Sequence, residues 1–180
     1  GLIVVDTATY FTFKGQIVIL LLIQLGGLGI VTFATFFSTF LQQKVSLRHK
    51  NMIPDYLDTE SLSTATSLLR QTIFITLLIE TGTFILLFFT WGSTPFESTS
   101  EKVFVSIFHA VSAFCNAGFS VFTNNLYEAP LQNAYILHLV IAFSVILGGI
   151  GFPTLQDIFT PSRLRERLRH PWKEWELSTK

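Results

Sequence analysis

Charge is what this chain has least of. Its 12 basic and 12 acidic residues make up 13% of 180 positions, against roughly 25% in a soluble domain. Half the usual means of facing water is missing. Formal net charge is zero, so there is no basic footprint for nucleic acid. Cysteine is nearly absent too. Cys115 stands alone, which excludes an internal disulfide framework and a cysteine-built zinc site. His109 and His138 lie on different segments without ligand spacing, and no metal site is expected beyond one for a monovalent cation. There is no P-loop, dinucleotide fingerprint, nucleophile–base pairing or paired catalytic carboxylates, and Asp55, Asp58 and Glu60 form no compact pair; an enzyme is not expected. The first residues are neither basic nor followed by a small-residue cleavage site, and Gly1 takes the place of Met. No signal peptide is expected, and the numbering is expected to start inside a longer protein.

What the chain has instead is long apolar blocks. Residues 16–41 (QIVILLLIQLGGLGIVTFATFFSTFL) carry no charge and exceed the ~20 residues that cross hydrocarbon. Residues 71–91 (QTIFITLLIETGTFILLFFTW) form a second block, interrupted by one acid, Glu80. Residues 134–156 (AYILHLVIAFSVILGGIGFPTLQ) form a third, without Asp, Glu, Lys or Arg and with one histidine, His138. Residues 103–115 (VFVSIFHAVSAFC) are different: 13 residues at 1.5 Å each reach about 20 Å, short of a ~30 Å hydrocarbon core. That length fits a helix that dips into the membrane and returns, or an amphipathic helix lying on its surface. The fold class expected is an all-α polytopic membrane protein.

Charge placement orients the blocks. Lys44, Arg48, Lys50 and Arg70 flank one connection, and Arg163, Arg165, Arg167, Arg169, Lys173 and Lys180 fill the tail. Only Lys14 and Lys102 of the basic residues fall elsewhere. By the positive-inside rule residues 42–69 and those after 160 are cytoplasmic. Asp6, Glu97, Glu101 and Glu128 then lie outside. The count closes only if residues 103–115 return to the side they came from, because a further crossing would put the basic tail outside.

The chain also repeats itself. GGLGIVTF at 26–33 is echoed by GGIGFPTL at 148–155, and GLIVVDT at 1–7 holds the place of GFSVFTN at 118–124. The repeated unit reads block, short helix, glycine kink, outer loop, block. Residues 1–41 are the second half of a first unit, 42–70 a cytoplasmic connection, 71–160 a complete second unit, and 161–180 a basic tail or linker.

The kink at Asn116, Ala117 and Gly118 needs a physical reason. Non-helical backbone at membrane depth is tolerated only where it is buried in protein or lines a water-filled cavity. Glycine opens backbone angles closed to other residues and lets a ligand approach the main chain. Such a loop can aim carbonyl oxygens inward to replace the water shell of a cation, with the partially negative C-terminal end of the short helix behind it. Both features favour a monovalent cation without an acidic side chain. The plainer reading is a tight turn at the membrane surface. The repeat weighs for the filter, since it sets Gly1 where the second unit has Gly118.

Other features stay open at this level. Glu80 inside a span is a functional candidate by default, or else a buried structural carboxylate bonded to neighbouring backbone or to the short helix. Gly26, Gly27, Gly29, Gly148, Gly149 and Gly151 allow close helix packing or act as gating hinges, with Pro153 breaking the later block. The arginine-rich tail with Trp172 and Trp175 is an interfacial helix, a docking arm, or a solvated basic end.

The whole pattern, with FCNAGFS at 114–120, resembles the Trk/Ktr/HKT superfamily of potassium transporters. QIVILLLIQLGGLGIVTFA and GGIGFPTLQDI are similar to its bacterial KtrB branch. The resemblance implies four units of span, re-entrant pore helix, filter loop and span around one potassium pathway, with one glycine per filter. Gly118 and Gly1 are the positions that match here, Asn116 and Ala117 lending carbonyls beside the first. It further implies passive potassium uptake, often sodium-stimulated, through a homodimer in the bacterial inner membrane and its lipid, gated by a cytosolic nucleotide-binding ring of the KtrA/TrkA type. A potassium-binding subunit of an ATP-driven pump and a non-conducting membrane scaffold are the alternative readings.

Overall fold

The computed structural model describes residues 4–29, 59–92, 94–129, 131–152 and 154–155. Gly1, most of the connection at 42–70, Pro153 and the basic tail therefore lie outside the described residues. All regular elements within them are helical.

Each helix start has a local cause. α1 (Thr7–Tyr10) begins where the Asp6 carboxylate accepts the Ala8 N–H at 2.8 Å. α2 (Phe13–Gly27) begins where Thr12 Oγ1 accepts the Gly15 N–H at 3.4 Å, a side chain standing in for a missing helical carbonyl. α2 ends in the glycine cluster, with Gly29 at φ 82°. α3 (Thr59–Thr90) is the long element, and its stretch Leu69–Thr90 is long and apolar enough to cross a membrane. It stops before Gly92, at φ 61°. α4 (Thr99–Phe114) starts four residues before the expected 103, because Ser98 Oγ accepts the Glu101 N–H at 3.1 Å while the Glu101 carboxylate accepts the Glu97 N–H at 2.6 Å. α5 (Tyr135–Ile150) follows an outer connection containing the 3-10 turn Asn125–Tyr127. It ends at Gly151, φ 92°, with a further helical bond from Leu155 N–H to the Gly151 carbonyl. In the block at 134–156, where Pro153 is the expected break, the regular helix thus already ends before Gly151.

α4 sits in the middle and packs against α2, α3 and α5. Residues 105–114, Ile107 apart, are all buried. Phe108 and Val111 pack with Ile23 of α2. Val105 and Ala110 join Leu87 of α3, Trp91 just after it and Leu137 of α5. Phe114 meets Ile75 and Ile79 of α3 together with Leu155. Along α3 the buried positions are Thr72, Ile75, Thr76, Ile79, Glu80, Thr83 and Leu87, a helical stripe that carries polar groups inward. The opposite faces of α2, α3 and α5 expose Leu22, Phe74, Phe89, Ile136 and Leu139.

Candidate functional site

The loop after α4 is closed by its own backbone. Asn116 takes the left-handed conformation at φ 53°, which asparagine tolerates better than other residues with a β-carbon. This lets the Ala117 N–H reach the Ser112 carbonyl at 2.9 Å and the Asn116 N–H reach that of Ala113 at 3.1 Å, a Schellman cap that occupies the last helical acceptors. Gly118 follows at φ 73°, where a side chain would be strained. Among the described residues the carbonyls of Asn116 and Gly118 accept no hydrogen bond. Both residues are exposed, between buried Phe114 on one side and buried Ser120 on the other. Open backbone oxygens are thereby held between fixed ends.

Behind the loop, α4 presents Ser106, His109 and Ser112 at spacings of three, one face of a helix. Ser112 Oγ donates to the Phe119 carbonyl at 2.7 Å, so that oxygen is tied to α4. His109 Nδ1 lies 2.8 Å from the Val105 carbonyl and Nε2 2.9 Å from Ser120 Oγ. A carbonyl can only accept, so Nδ1 carries the proton and, in the neutral ring, Nε2 accepts from the Ser120 hydroxyl. Ser120 Oγ in turn accepts the Phe122 N–H at 3.1 Å. The imidazole is packed by Trp91 at 5.4 Å and Phe122 at 5.2 Å between ring centroids. Trp91 is fixed by its indole N–H, which donates to Ser106 Oγ at 2.7 Å. His109 thus has both ring nitrogens engaged.

Below the loop, glycines and one acid set the spacing. A β-carbon on Gly148 would overlap the Phe114 carbonyl and come 2.9 Å from Asn116 Nδ2, while one on Gly27 would overlap Cys115 Sγ. Close approach explains these two. Gly26 and Gly149 face open space, and Gly29 and Gly151 serve through positive φ instead. Glu80, 6% exposed, accepts from Gln24 Nε2 at 3.1 Å and lies 3.9 Å from Cys115 Sγ. It ties α2, α3 and the foot of the loop together through side chains. Thr83 Oγ1 donates to Ser144 Oγ at 3.3 Å one turn further along α3.

The structure brings Asn116, Ala117 and Gly118 together with Gly148, Gly27 and Glu80, whereas Gly1 lies outside the described residues. The residues just after Gly1 are placed: Val4, Asp6 and Thr7 line an open cavity of about 280 Å³ with Ser120, Phe122 and Asn124. A second cavity, about 270 Å³, adjoins Asn116 and Gly118 between α4 and α5. No group of His, Cys, Asp and Glu among the described residues could hold a metal ion. Sequence reasoning did not single out Ser112, Ser120 or Gln24. The three-residue spacing of Ser106, His109 and Ser112 was the available signal for the first of them.

The arrangement offers backbone oxygens left open by the loop and an interior lined with hydroxyls. The sequence matches the family TrkH, cation transport protein, over residues 1–170. It is 37% identical over 165 residues to the Ktr system potassium uptake protein B of Bacillus subtilis (strain 168), covering 92% of this chain and 36% of that protein. It is 30% identical over 159 residues to the Ktr system potassium uptake protein B of Vibrio alginolyticus, covering 88% and 34%. With the potassium/sodium uptake protein NtpJ of Enterococcus hirae it shares 29% over 170 residues, covering 94% and 37%. The chain spans about a third of the length of these curated relatives. It belongs to the TrkH family of cation transport proteins.

Proposed function

We propose that this chain forms part of a membrane pathway for potassium uptake, in which backbone carbonyls of residues 116–118 replace the ion's water shell. The observation that carries the reading is the pair of unbonded carbonyls at Asn116 and Gly118, held by a capped helix end within a helical bundle. A loop of this kind survives in a membrane only beside protein or a water-filled space, and such oxygens suit a large monovalent cation. The names of the relatives support potassium as cargo, and that of the Enterococcus protein also names sodium. The shared cavity of Val4, Asp6 and Thr7 with Ser120 and Phe122 supports a second loop, with Gly1 in it, beside the first. α4 is then the re-entrant helix, and α2, α3 and α5 cross the membrane.

Further units, a homodimer and a cytosolic nucleotide-binding ring complete the same proposal. The ring would dock on the basic residues of 42–69 and 161–180, the side assigned to the cytoplasm by their charge. Gly118→Ser in the full-length protein tests the core of it. Potassium uptake is expected to fall or lose selectivity at unchanged membrane level, because serine is strained at φ 73°. Intact uptake would leave the helices as a scaffold and the proposal without its site.

A further inference from the structure

The loop's open oxygens are only half of what holds an ion; the other half is whatever fixes their spacing. Three side chains do so from the rear. Ser112 Oγ pins the Phe119 carbonyl at 2.7 Å, His109 Nε2 takes the Ser120 hydroxyl at 2.9 Å, and Ser120 Oγ holds the Phe122 N–H at 3.1 Å. All three side chains belong to buried residues. His109 is anchored in turn by its Nδ1–H bond to the Val105 carbonyl at 2.8 Å and by the rings of Trp91 and Phe122. The end of the loop is therefore bonded to the buried part of α4 at Phe119 and Ser120, the two residues that follow Gly118.

The geometry points to His109 and Ser120, with Ser112, as positioning residues that determine which monovalent cation the loop accepts. This rests on the reading of residues 116–118 as an ion filter. None of the three touches the ion. They act by keeping the Asn116 and Gly118 oxygens from closing around a smaller cation. Oxygens free to move contract around sodium and recover the binding energy lost to its tighter water shell. Oxygens tethered through a fully satisfied buried network cannot contract without breaking it, and such networks are stiff because each bond lies in a low-dielectric interior. The neutral tautomer is part of the device. With Nε2 as acceptor, Ser120 both donates and accepts, and the polar side-chain atoms of this relay, His109 Nδ1, His109 Nε2 and Ser120 Oγ, are all used.

The test uses the full-length protein in vesicles, with uptake of radioactive rubidium, as potassium surrogate, and sodium at matched protein levels. His109→Leu removes the acceptor at similar volume, and Ser120→Ala removes the donor from the loop side. Each is expected to lower the rubidium-to-sodium ratio about tenfold, equal to about 1.4 kcal/mol. The double variant should lose less than the sum of the two single losses, since both break the shared His109–Ser120 bond. His109→Gln, whose amide oxygen extends as far as Nε2, is expected to restore most of the ratio, which a purely structural role would not do. Should His109→Leu fail to reach the membrane, Ser120→Ala alone decides. An unchanged ratio in Ser120→Ala overturns the inference. If Gly118→Ser also leaves rubidium uptake unchanged, the filter reading itself has failed; if Gly118→Ser abolishes uptake while Ser120→Ala keeps its ratio, only the brace is wrong.

Discussion

α4 and α5 are both 16 residues long and distribute polarity in opposite ways. α4 buries Ser106, His109 and Ser112 among its apolar residues, while α5 buries only Leu137 and Ser144 and turns Leu139, Phe143 and Ile146 outward. In water that order would be reversed, because burying apolar area is the main gain in folding. Where the surroundings are as apolar as the interior, burial of leucine distinguishes nothing, and packing together with interhelical hydrogen bonds decides which face turns in. The contrast places α4 at the centre of the packed helices and α5 at their border. Whatever covers α5 must itself be apolar.

The largest effect is expected where the two helices meet. Gly148→Leu drives a side chain into the Phe114 carbonyl, a backbone atom that cannot swing away, and should cost more than about 3 kcal/mol. Its neighbour Gly149 faces open space, and Gly149→Leu should stay within about 0.5 kcal/mol. Thermal unfolding of both variants in detergent measures the difference, and equal effects would break the assignment of faces on α5. Next in size, Phe108→Ala on α4 removes a fully buried ring and is expected to cost about 3–5 kcal/mol. Leu139→Ala on α5, at a site 69% exposed, is expected to change stability by about 0.5 kcal/mol or less. The same unfolding assay reads both.

The smallest effect sharpens the comparison at its polar seam. Glu80→Gln keeps the shape and replaces the carboxyl group beside Gln24 and Cys115 with an amide. It should lower stability by about 1 kcal/mol, the scale of one weakened hydrogen bond, and leave rubidium binding unchanged. A fall in ion affinity at constant stability would move this acid from the scaffold into the ion path.

Much of the helical framework was legible because hydropathy and length are local properties. α4 stands where its apolar run puts it, whereas α3 begins at Thr59, inside the connection expected at 42–70 and ahead of the run at 71–91; the other boundaries differ for identifiable reasons. Ser98 and Glu101 are spaced as a capping pair, a signal that reading for apolar runs passes over, so α4 starts before its first valine. Gly151 ends α5 through its backbone angle, which hydropathy does not encode. The glycine pairs were visible, but which member of Gly148 and Gly149 touches α4 depends on how the helices rotate against each other. Partners of the site were the least legible. Glu80 finds Gln24 and Cys115 at separations of 56 and 35 residues, and only the assembled bundle reveals that. Ser112 and Ser120 look like ordinary helix and loop serines until the loop folds back on α4.

Rubidium soaked into crystals of the full-length protein, located by its anomalous scattering, tests the central claim most directly. The account predicts a site coordinated by the carbonyl oxygens of Asn116 and Gly118, lost in Gly118→Ser. Rubidium bound elsewhere along the axis, with those peptides turned away from it, would contradict it.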